Sequence, residues 1–484
     1  MVPDASALQV GSKVAQRRTR LIATLGPSTD SEDVMRGLIR AGLDVARINT
    51  AHGGAQEIRR RADLARRCAA DVGRDIALLL DLQGPKIRVG ALRGESQVLT
   101  EGETVSLVAT GAPADEETCI PIDYPPLARE VRPGQPVLLS DGMLRLEAID
   151  SDGAHRVRCR VLAGGVLRTH KGVNLPQTTL SIETPTDKDL QDARIGLEAG
   201  VDFLGLSFVR RAADVERLRT AIDGAASIVA KIERPEALAH IDEIVHAADA
   251  VMVARGDLGV ELPLEDVPQA QLAILHAAQR VGTPAIVATE LLESMQVSER
   301  PTRAEVTDVF YAVSNRTDAV MLSAESAVGQ HPVAAVQTLG RLARAAEATL
   351  TSNPQLPAEG NQTTWVAYSA VMLAHALQAR AIVIPTTSGL TARQVARFRP
   401  GPPMLAIVEN ARIARQLALT WGVTPLVADM PHETAGLIRS ALRAVEDAGY
   451  AHEGEPLVLT TGVPVGRAGS TNLIKVHRLG EAYL

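Results

Sequence analysis

The residues best suited to chemistry lie in IVAKIERPEAL, residues 228 to 238, and in VMVARGDLG, residues 251 to 259. Lys231 and Glu233 stand two apart in an apolar run, so on a strand their side chains share one side. A cation and a carboxylate then meet in one cavity. The next apolar run ends in Arg255, Gly256 and Asp257, which sets a second carboxylate at an equivalent strand end. Two carboxylates beside a lysine are the makings of a Mg²⁺ site, and the set suits chemistry on a phosphorylated, anionic substrate. A Lys–Glu pair taken alone is as readily a structural ion pair, so the surrounding elements have to decide.

Those elements are legible as short β-branched runs alternating with helical periods. The runs are LIATL (21 to 25), VARIN (45 to 49), IALLLDL (76 to 82), FLGLSF (203 to 208), IVAKIE, VMVARG, AIVATE (285 to 290) and AVMLSAE (319 to 325). With amphipathic stretches such as SEDVMRGLIRAG and DVERLRTAIDGA between them, they predict a TIM (β/α)8 barrel. Its active site belongs at the C-terminal strand ends, where the runs place Arg47, Asn49, Asp81, Ser207, Lys231, Glu233, Asp257, Thr289 and Ser323. One interruption follows the third strand. Residues 86–174 read as short strands with Gly-rich turns, a small β lid domain inserted at the active-site end. The barrel is therefore expected over 18–85 and 175–350, after an N-terminal extension of 1–17. The polar segment TSNPQLPAEGNQ reads as a linker. Beyond it AIVIPT, MLAIVE, TPLVAD, PLVLTT and LIKVHRL alternate with helical stretches, so 351–484 is expected to form a separate C-terminal α/β domain, doubly wound or related.

Composition narrows the partners. A chain of 484 residues is too long for one ordinary core, and two or three domains are expected. Its 57 acidic and 50 basic residues give a formal charge of -7, with no footprint for nucleic acid or a membrane surface. Small molecules are the expected partners. Cys68, Cys119 and Cys159 are too widely spaced for a zinc knuckle or a redox CxxC, and they suit a reducing, cytoplasmic setting. The first twenty residues lack the apolar core of a signal peptide, and no apolar stretch is long enough to span a bilayer.

In order along the chain, IATLGPST, DVARINTAHG, DLQGPKIR, KGVNLP, LSFVR, IVAKIERPEAL, MVARGDLGVELP, VATELLESM, RPTRAEVTDV and AVMLSAESA resemble the motifs of pyruvate kinase. The resemblance implies a barrel, a lid and a C-terminal effector domain, a homotetramer, and phosphate transfer from phosphoenolpyruvate to ADP that yields pyruvate and ATP. It implies Glu233 and Asp257 as ligands of Mg²⁺, or of Mn²⁺ in its place. Lys231 becomes the electrophile beside the developing charge. The amides of Gly256 and Asp257 are expected to open a helix and meet the substrate carboxylate, with Ser207 and Arg47 also at the substrate. Thr289 is implied in carboxylate binding and in protonating the enolate through water, helped by Ser323. Arg47, Asn49, Asp81 and Arg88 match positions around the phosphates and the nucleotide, and Lys171 at the lid's return reaches toward ADP. No GxxxxGK[ST] occurs, so ADP is to be held by metal, arginines and lid. His52 and His170 are expected to serve ordinary hydrogen bonding, and Thr302 with Glu305 forms a helix-starting capping box.

The departures from the family pattern are specific. Many pyruvate kinases need K⁺ and carry a strand-three motif resembling LDTKGPEIRTG, whereas this chain reads LDLQGPKIRVG. Leu82, Gln83, Lys86 and Val89 resemble the potassium-independent subgroup, in which a lysine ammonium takes the place of the bound monovalent cation. Ala51 stands where the family has a serine that ligates K⁺, so K⁺ is expected to be dispensable here. Glu290 replaces the usual Gln, and SNRTD (314 to 318) replaces the common LDGTD. In the C-terminal part, TTSGLTAR resembles the family's effector loop: Thr386, Thr387, Ser388, Gly389 and Thr391 suit a turn that binds phosphate through backbone amides. The later loop TGVPVGRAGSTN lacks the tryptophan that often accompanies fructose 1,6-bisphosphate, so a sugar monophosphate or AMP is the expected effector. The competing readings are a barrel lyase or aldolase acting on a pyruvate enolate, and a metabolite sensor with little turnover.

Overall fold

A computed structural model describes residues 17–51, 53–111, 119–350, 352, 354–464 and 471–482. Residues 1–16 of the expected extension, His52 and residues 465–470 of the later C-terminal loop lie outside the described residues. Apolar runs buried along nearly their whole length form parallel strands covered on both faces. The first three are β1 (Arg20–Thr24), β2 (Val45–Asn49) and β3 (Ala77–Asp81). The chain then leaves the barrel for β4 (Ser96–Leu99), β5 (Thr104–Ala109), β6 (Cys119–Ile122), β7 (Pro136–Leu139), β8 (Leu144–Ser151), β9 (Arg156–Ala163), β10 (Gly165–Arg168) and β11 (Val173–Asn174). It returns as β12 (Phe203–Leu206), β13 (Ser227–Ile232), β14 (Ala250–Ala254), β15 (Ala285–Ala288) and β16 (Ala319–Leu322). These close with the first three into an eight-stranded barrel in the order β1-β16-β15-β14-β13-β12-β3-β2. All eight runs anticipated from the sequence are barrel strands.

Four of those strands stop two or three residues short of the apolar pattern. The runs expected to reach 208, 256, 290 and 325 end at Leu206, Ala254, Ala288 and Leu322. Phe208, Thr289 and Glu290 adopt φ of 56°, 66° and 55°, which breaks the extended backbone, while Arg255 and Ala324 begin helices. Ser207, Asp257, Thr289 and Ser323 therefore sit just beyond their strands, whereas Arg47, Asp81 and Lys231 lie on theirs.

The barrel interior is filled by inward residues of the strands, among them Ile22, Leu79, Phe203, Met252 and Met321, and Leu419 from the C-terminal part joins this cluster. Arg20 at the start of β1 donates to the carbonyls of Thr420 and Val423, so Leu419 enters at the N-terminal end, opposite the reactive strand ends. The inserted strands have their own core, with Val105, Leu107, Ile120, Val137, Leu146 and Val157 buried together. They form a six-stranded sheet, β11-β7-β8-β9-β5-β6, and a two-stranded one, β10-β4. The return segment is tied to the barrel where Asn174 Nδ2 donates to Glu261 Oε1 at 3.0 Å. Arg234 Nη2 reaches the carbonyls of Leu175 and Thr178 at 3.4 Å each.

The C-terminal strands are β17 (Ala381–Pro385), β18 (Met404–Val408), β19 (Val423–Val427), β20 (Pro456–Gly462) and β21 (Thr471–Arg478). Their order is β19-β18-β17-β20-β21, parallel except for the last pair. Strand order reverses between β17 and β20, the place where an open α/β sheet leaves a crevice. No helix among the described residues is long and apolar enough to cross a membrane.

Within SNRTD, Arg316 adopts φ of 64°, a left-handed conformation that the glycine of the common LDGTD would take freely. Strain of about 1–2 kcal/mol against a glycine entropy penalty of about 0.5–1 kcal/mol leaves Arg316→Gly with an expected net gain of roughly 0.5–1 kcal/mol. A urea midpoint that rises at unchanged slope would show it. A lower midpoint would contradict it.

Candidate active site

Lys231, near the end of β13, is 8% exposed, and its ammonium is bound on three sides. Nζ lies 2.7 Å from Glu233 Oε1 and 3.0 Å from Asp81 Oδ1, and it donates to Ser207 Oγ at 2.7 Å. The contact to Asp81 Oδ1 is ionic and lacks hydrogen-bond alignment. Burial works against the ammonium, but Asp81 and Glu233 outweigh it and hold the lysine above its ordinary pKa. Ser207 is oriented in turn by donating to the Leu82 carbonyl at 2.7 Å. Asp81, expected at the nucleotide, is 1% exposed and lies between Lys231 and Arg47, with 2.6 Å from Arg47 Nε to its Oδ2. Arg47 also donates from Nη1 to Thr24 Oγ1 at 2.8 Å. Register explains the grouping: β2 and β3 are neighbours, and β12 with Ser207 at its end lies between β3 and β13.

Glu233 lies one residue past β13, and its Oε2 accepts the Phe208 N–H at 2.8 Å. Burial pushes its carboxyl up to about 7, against the pull of Lys231, and the negative charge of Asp257 adds to the push. A site that leaves a carboxylate short of positive charge is one where a divalent cation is favoured. Among the described residues no three His, Cys, Asp or Glu side chains form a metal cage. Two carboxylates nevertheless fit Mg²⁺, which takes one or two from protein and the rest of its oxygens from water and substrate.

Asp257 lies in the helix Arg255–Glu261, which starts directly after β14, so the amides of Gly256 and Asp257 are in its first turn. The Gly256 N–H is already engaged: it donates to Thr289 Oγ1 at 2.8 Å. Thr289 Oγ1 itself donates to the Ala288 carbonyl at 2.6 Å. A β-branched residue at φ of 66° is strained by about 1–3 kcal/mol and persists only where its surroundings hold it. Arg255 supplies that hold. Its Nε donates to Ala288 O at 3.3 Å, its Nη2 to Thr289 O at 2.5 Å, and its Nη1 to Asp308 Oδ1 at 2.7 Å. Ser323 precedes the helix Ala324–Ala327, and its N–H donates to Glu325 Oε2 at 2.7 Å. Glu325 Oε1 accepts from Leu292 N–H at 3.2 Å, so one buried carboxylate joins the loops after β15 and β16.

Lys86 lies where the chain leaves the barrel, its Nζ 3.9 Å from Asp141 Oδ1 in the turn between β7 and β8. With Asn174, Phe208, Arg234 and Asp257 it lines a narrow cleft of about 30 Å³ between the inserted sheet and the barrel. The other residues expected around the nucleotide are held locally. Asn49 Oδ1 accepts the Ala51 N–H at 3.0 Å, and Arg88 Nη1 donates to the His170 carbonyl at 3.1 Å. Lys171 is exposed, with its carbonyl accepting from Val89 N–H at 2.8 Å. In the C-terminal part, Gly389 at φ of 76° caps a short helix and donates to Thr386 Oγ1 at 3.0 Å. Thr391 is bonded to Thr471 at 2.8 Å, which leaves Thr387 and Ser388 exposed at the turn.

Sequence reasoning missed Arg255 with Asp308, and it missed Glu325, although all three fall inside motifs singled out above. The signal available for Arg255 and Glu325 was charge just after an apolar strand, while Asp308 lies within a helix and carried none. It also offers no account of Glu290, whose exposed carboxylate at φ of 55° nothing in the structure explains.

The model of the pyruvate kinase barrel domain matches residues 16–336, and that of the pyruvate kinase alpha/beta domain matches residues 365–477. The chain is 41% identical over 477 residues to a pyruvate kinase of Geobacillus stearothermophilus, across 96% of this chain and 81% of that protein. It is 39% identical over 469 residues to a pyruvate kinase of Mycobacterium tuberculosis, across 96% of this chain and 99% of that one. A crystal structure of a pyruvate kinase from Cryptosporidium parvum is similar with a TM-score of 0.89 at 32% identity, covering 96% of this chain and 97% of that chain.

Proposed function

The chain belongs to the pyruvate kinase family, and from that premise we propose that it transfers phosphate from phosphoenolpyruvate to ADP at a site centred on Lys231, with Mg²⁺ and without K⁺. The observation that carries this reading is the ammonium anchored by Asp81, Glu233 and Ser207. Phosphoryl transfer leaves the enolate of pyruvate, so negative charge builds on the phosphoryl oxygens and the enolate oxygen. A cation already fixed in place meets that charge without reorganisation. Asp81 acts as a positioning residue for Lys231 and Arg47, and Arg47 offers its outer edge to phosphate. Glu233 and Asp257 would hold Mg²⁺, or Mn²⁺ in its place, which when bound supplies positive charge shared between protein and substrate oxygens. Thr289 Oγ1 gives its proton to Ala288 O and accepts from Gly256, so its remaining lone pair suits a water. That water delivers the proton to the enolate carbon: a C–H bond forms, the enolate electrons close the carbonyl, and the hydroxide left takes a proton from solvent.

Around this centre, Arg88, Lys171 and Asn49 are assigned to the nucleotide, and the inserted sheet to covering it. Lys86 provides the unit charge that K⁺ supplies elsewhere in the family, with Asp141 near enough to steer it. Thr387 and Ser388 stand after β17, beside the strand-order reversal, and are assigned to a phosphorylated effector, a sugar monophosphate or AMP. Cys68, Cys119 and Cys159 carry free thiols, which suits a reducing, cytoplasmic setting, and the assignment as a homotetramer rests on family resemblance alone.

The reading is tested by following both products: ATP and pyruvate should form in equal amounts and both should cease on chelation of Mg²⁺. Pyruvate without ATP would displace it. The metal assignment has its own test. Glu233 is protonated in the folded, metal-free protein up to about pH 7, well above its unfolded value of about 4.3. The stability this lends is full below about pH 4.3 and is lost as pH rises through about 7, to the extent of a few kcal/mol. Mg²⁺ needs the ionised form, so it is expected to raise Tm more at pH 8 than at pH 5.5. Equal shifts at the two pH values, or a shift that survives Glu233→Gln, would contradict the assignment.

A further inference from the structure

Thr289 and Glu290 are consecutive side-chain-bearing residues at positive φ, directly after β15, and the hydroxyl on which proton delivery depends hangs on that turn. One guanidinium grips it. Arg255, 9% exposed, donates to the carbonyls of Ala288 and Thr289, the two residues that lead into the turn. The next residue, Gly256, donates its N–H to the Thr289 hydroxyl at 2.8 Å, so backbone and side chain of Thr289 are both held from the start of one helix. Arg255 is itself held at 2.7 Å by Asp308, which lies in the helix Arg303–Ser314. That helix is fixed by Glu305, whose carboxylate accepts from both N–H and Oγ of Ser294, at 2.7 and 2.6 Å, in the segment that continues from the turn. The grip therefore runs from Asp308 through Arg255 to Thr289.

We infer that Arg255 and Asp308 are positioning residues for enolate protonation: they hold the Thr289 turn in its left-handed conformation, and so hold the hydroxyl that orients the proton-delivering water. The inference rests on the reading of Thr289 above. The two carbonyl contacts fix the turn, while the planar fork of arginine, held by a carboxylate on its other edge, has no equivalent in the point charge of a lysine. Loosening such a support by a fraction of an ångström to an ångström is enough to cost up to about 10²-fold in the step that depends on it. Phosphoryl transfer draws on Lys231 and Arg47, which are held by Asp81, Glu233, Ser207 and Thr24 rather than by this turn.

The test separates the two half-reactions in the full-length protein. Single-turnover ATP formation reports phosphoryl transfer. Incorporation of deuterium from D2O into the pyruvate methyl group, with ATP and Mg²⁺ present, reports proton exchange at the enolate carbon. Arg255→Lys and Asp308→Asn are expected to lower the exchange about 10- to 100-fold, with single-turnover ATP formation at saturating phosphoenolpyruvate within about threefold of the parent. Asp308, on a helix and partly exposed, gives a variant that keeps the question open to decision if Arg255→Lys folds poorly. Equal loss of both half-reactions in Asp308→Asn, or no loss of exchange, overturns the inference. Thr289→Val run alongside shows which statement fails: if it leaves exchange intact, the role of Thr289 is wrong. If it lowers exchange while Asp308→Asn does not, only the grip is wrong.

Discussion

Lys231→Met is expected to lower kcat by about 10³- to 10⁵-fold, the range over which a single cation at a transferring phosphoryl group acts. Methionine keeps the length and apolar stem of lysine but removes the charge on which Asp81, Glu233 and Ser207 converge. The fold pays a separate cost, because breaking a buried ion pair from one side is worth about 3–5 kcal/mol when the partner charge is stranded. Two features soften it here. Asp81 keeps Arg47 at 2.6 Å, and Glu233, already inclined to hold a proton, can neutralise itself. A folded but inactive protein is therefore the expected result, checked by circular dichroism beside a turnover assay. Near-normal turnover in a folded Lys231→Met protein would remove Lys231 from the chemistry.

Lys86→Glu is expected to lower turnover about 10²-fold in K⁺-free buffer. Reversing the charge changes the local field by two units, and at an effective dielectric of about 20 over about 10 Å each unit is worth about 1.7 kcal/mol. The sum, about 3 kcal/mol, is roughly two orders of magnitude in rate. Added K⁺ is expected to restore part of the loss, since the new carboxylate can help to hold the ion, but Ala51 provides no hydroxyl to complete its shell. Removal of the contact to Asp141 also places two carboxylates face to face across the mouth of the cleft, which acts in the same direction. Identical rates with and without K⁺ in the variant would mean that Lys86 does not stand in for the ion.

The architecture was largely legible because the barrel strands are uniformly apolar and turn abruptly into polar residues. Hydrophobic runs located all eight strands, yet four of them were read two or three residues too long. The excess residues, such as Phe208 and Thr289, carry no mark of positive φ: neither is glycine, and both have good strand propensity. The pairing of Lys231 with Glu233 followed from a spacing of two, since neighbours on one strand face are a local property. Asp81 was visible as a charge at a strand end, but its partners come from β2 and β13, and the pairing is fixed only by barrel closure. Arg255 and Asp308, 53 residues apart in the chain, likewise lie outside any local pattern. Arg316 shows the reverse: its departure from the family pattern was plain in the sequence, and the backbone angle supplies the physical cost.

Pyruvate release from phosphoenolpyruvate, ADP and Mg²⁺ in rigorously K⁺-free buffer, repeated after K⁺ is added, tests the fixed-cation site most directly. The account predicts the same robust turnover in both. Turnover that appears only with K⁺ would contradict it, leaving the Lys231 site in place and Lys86 without its role.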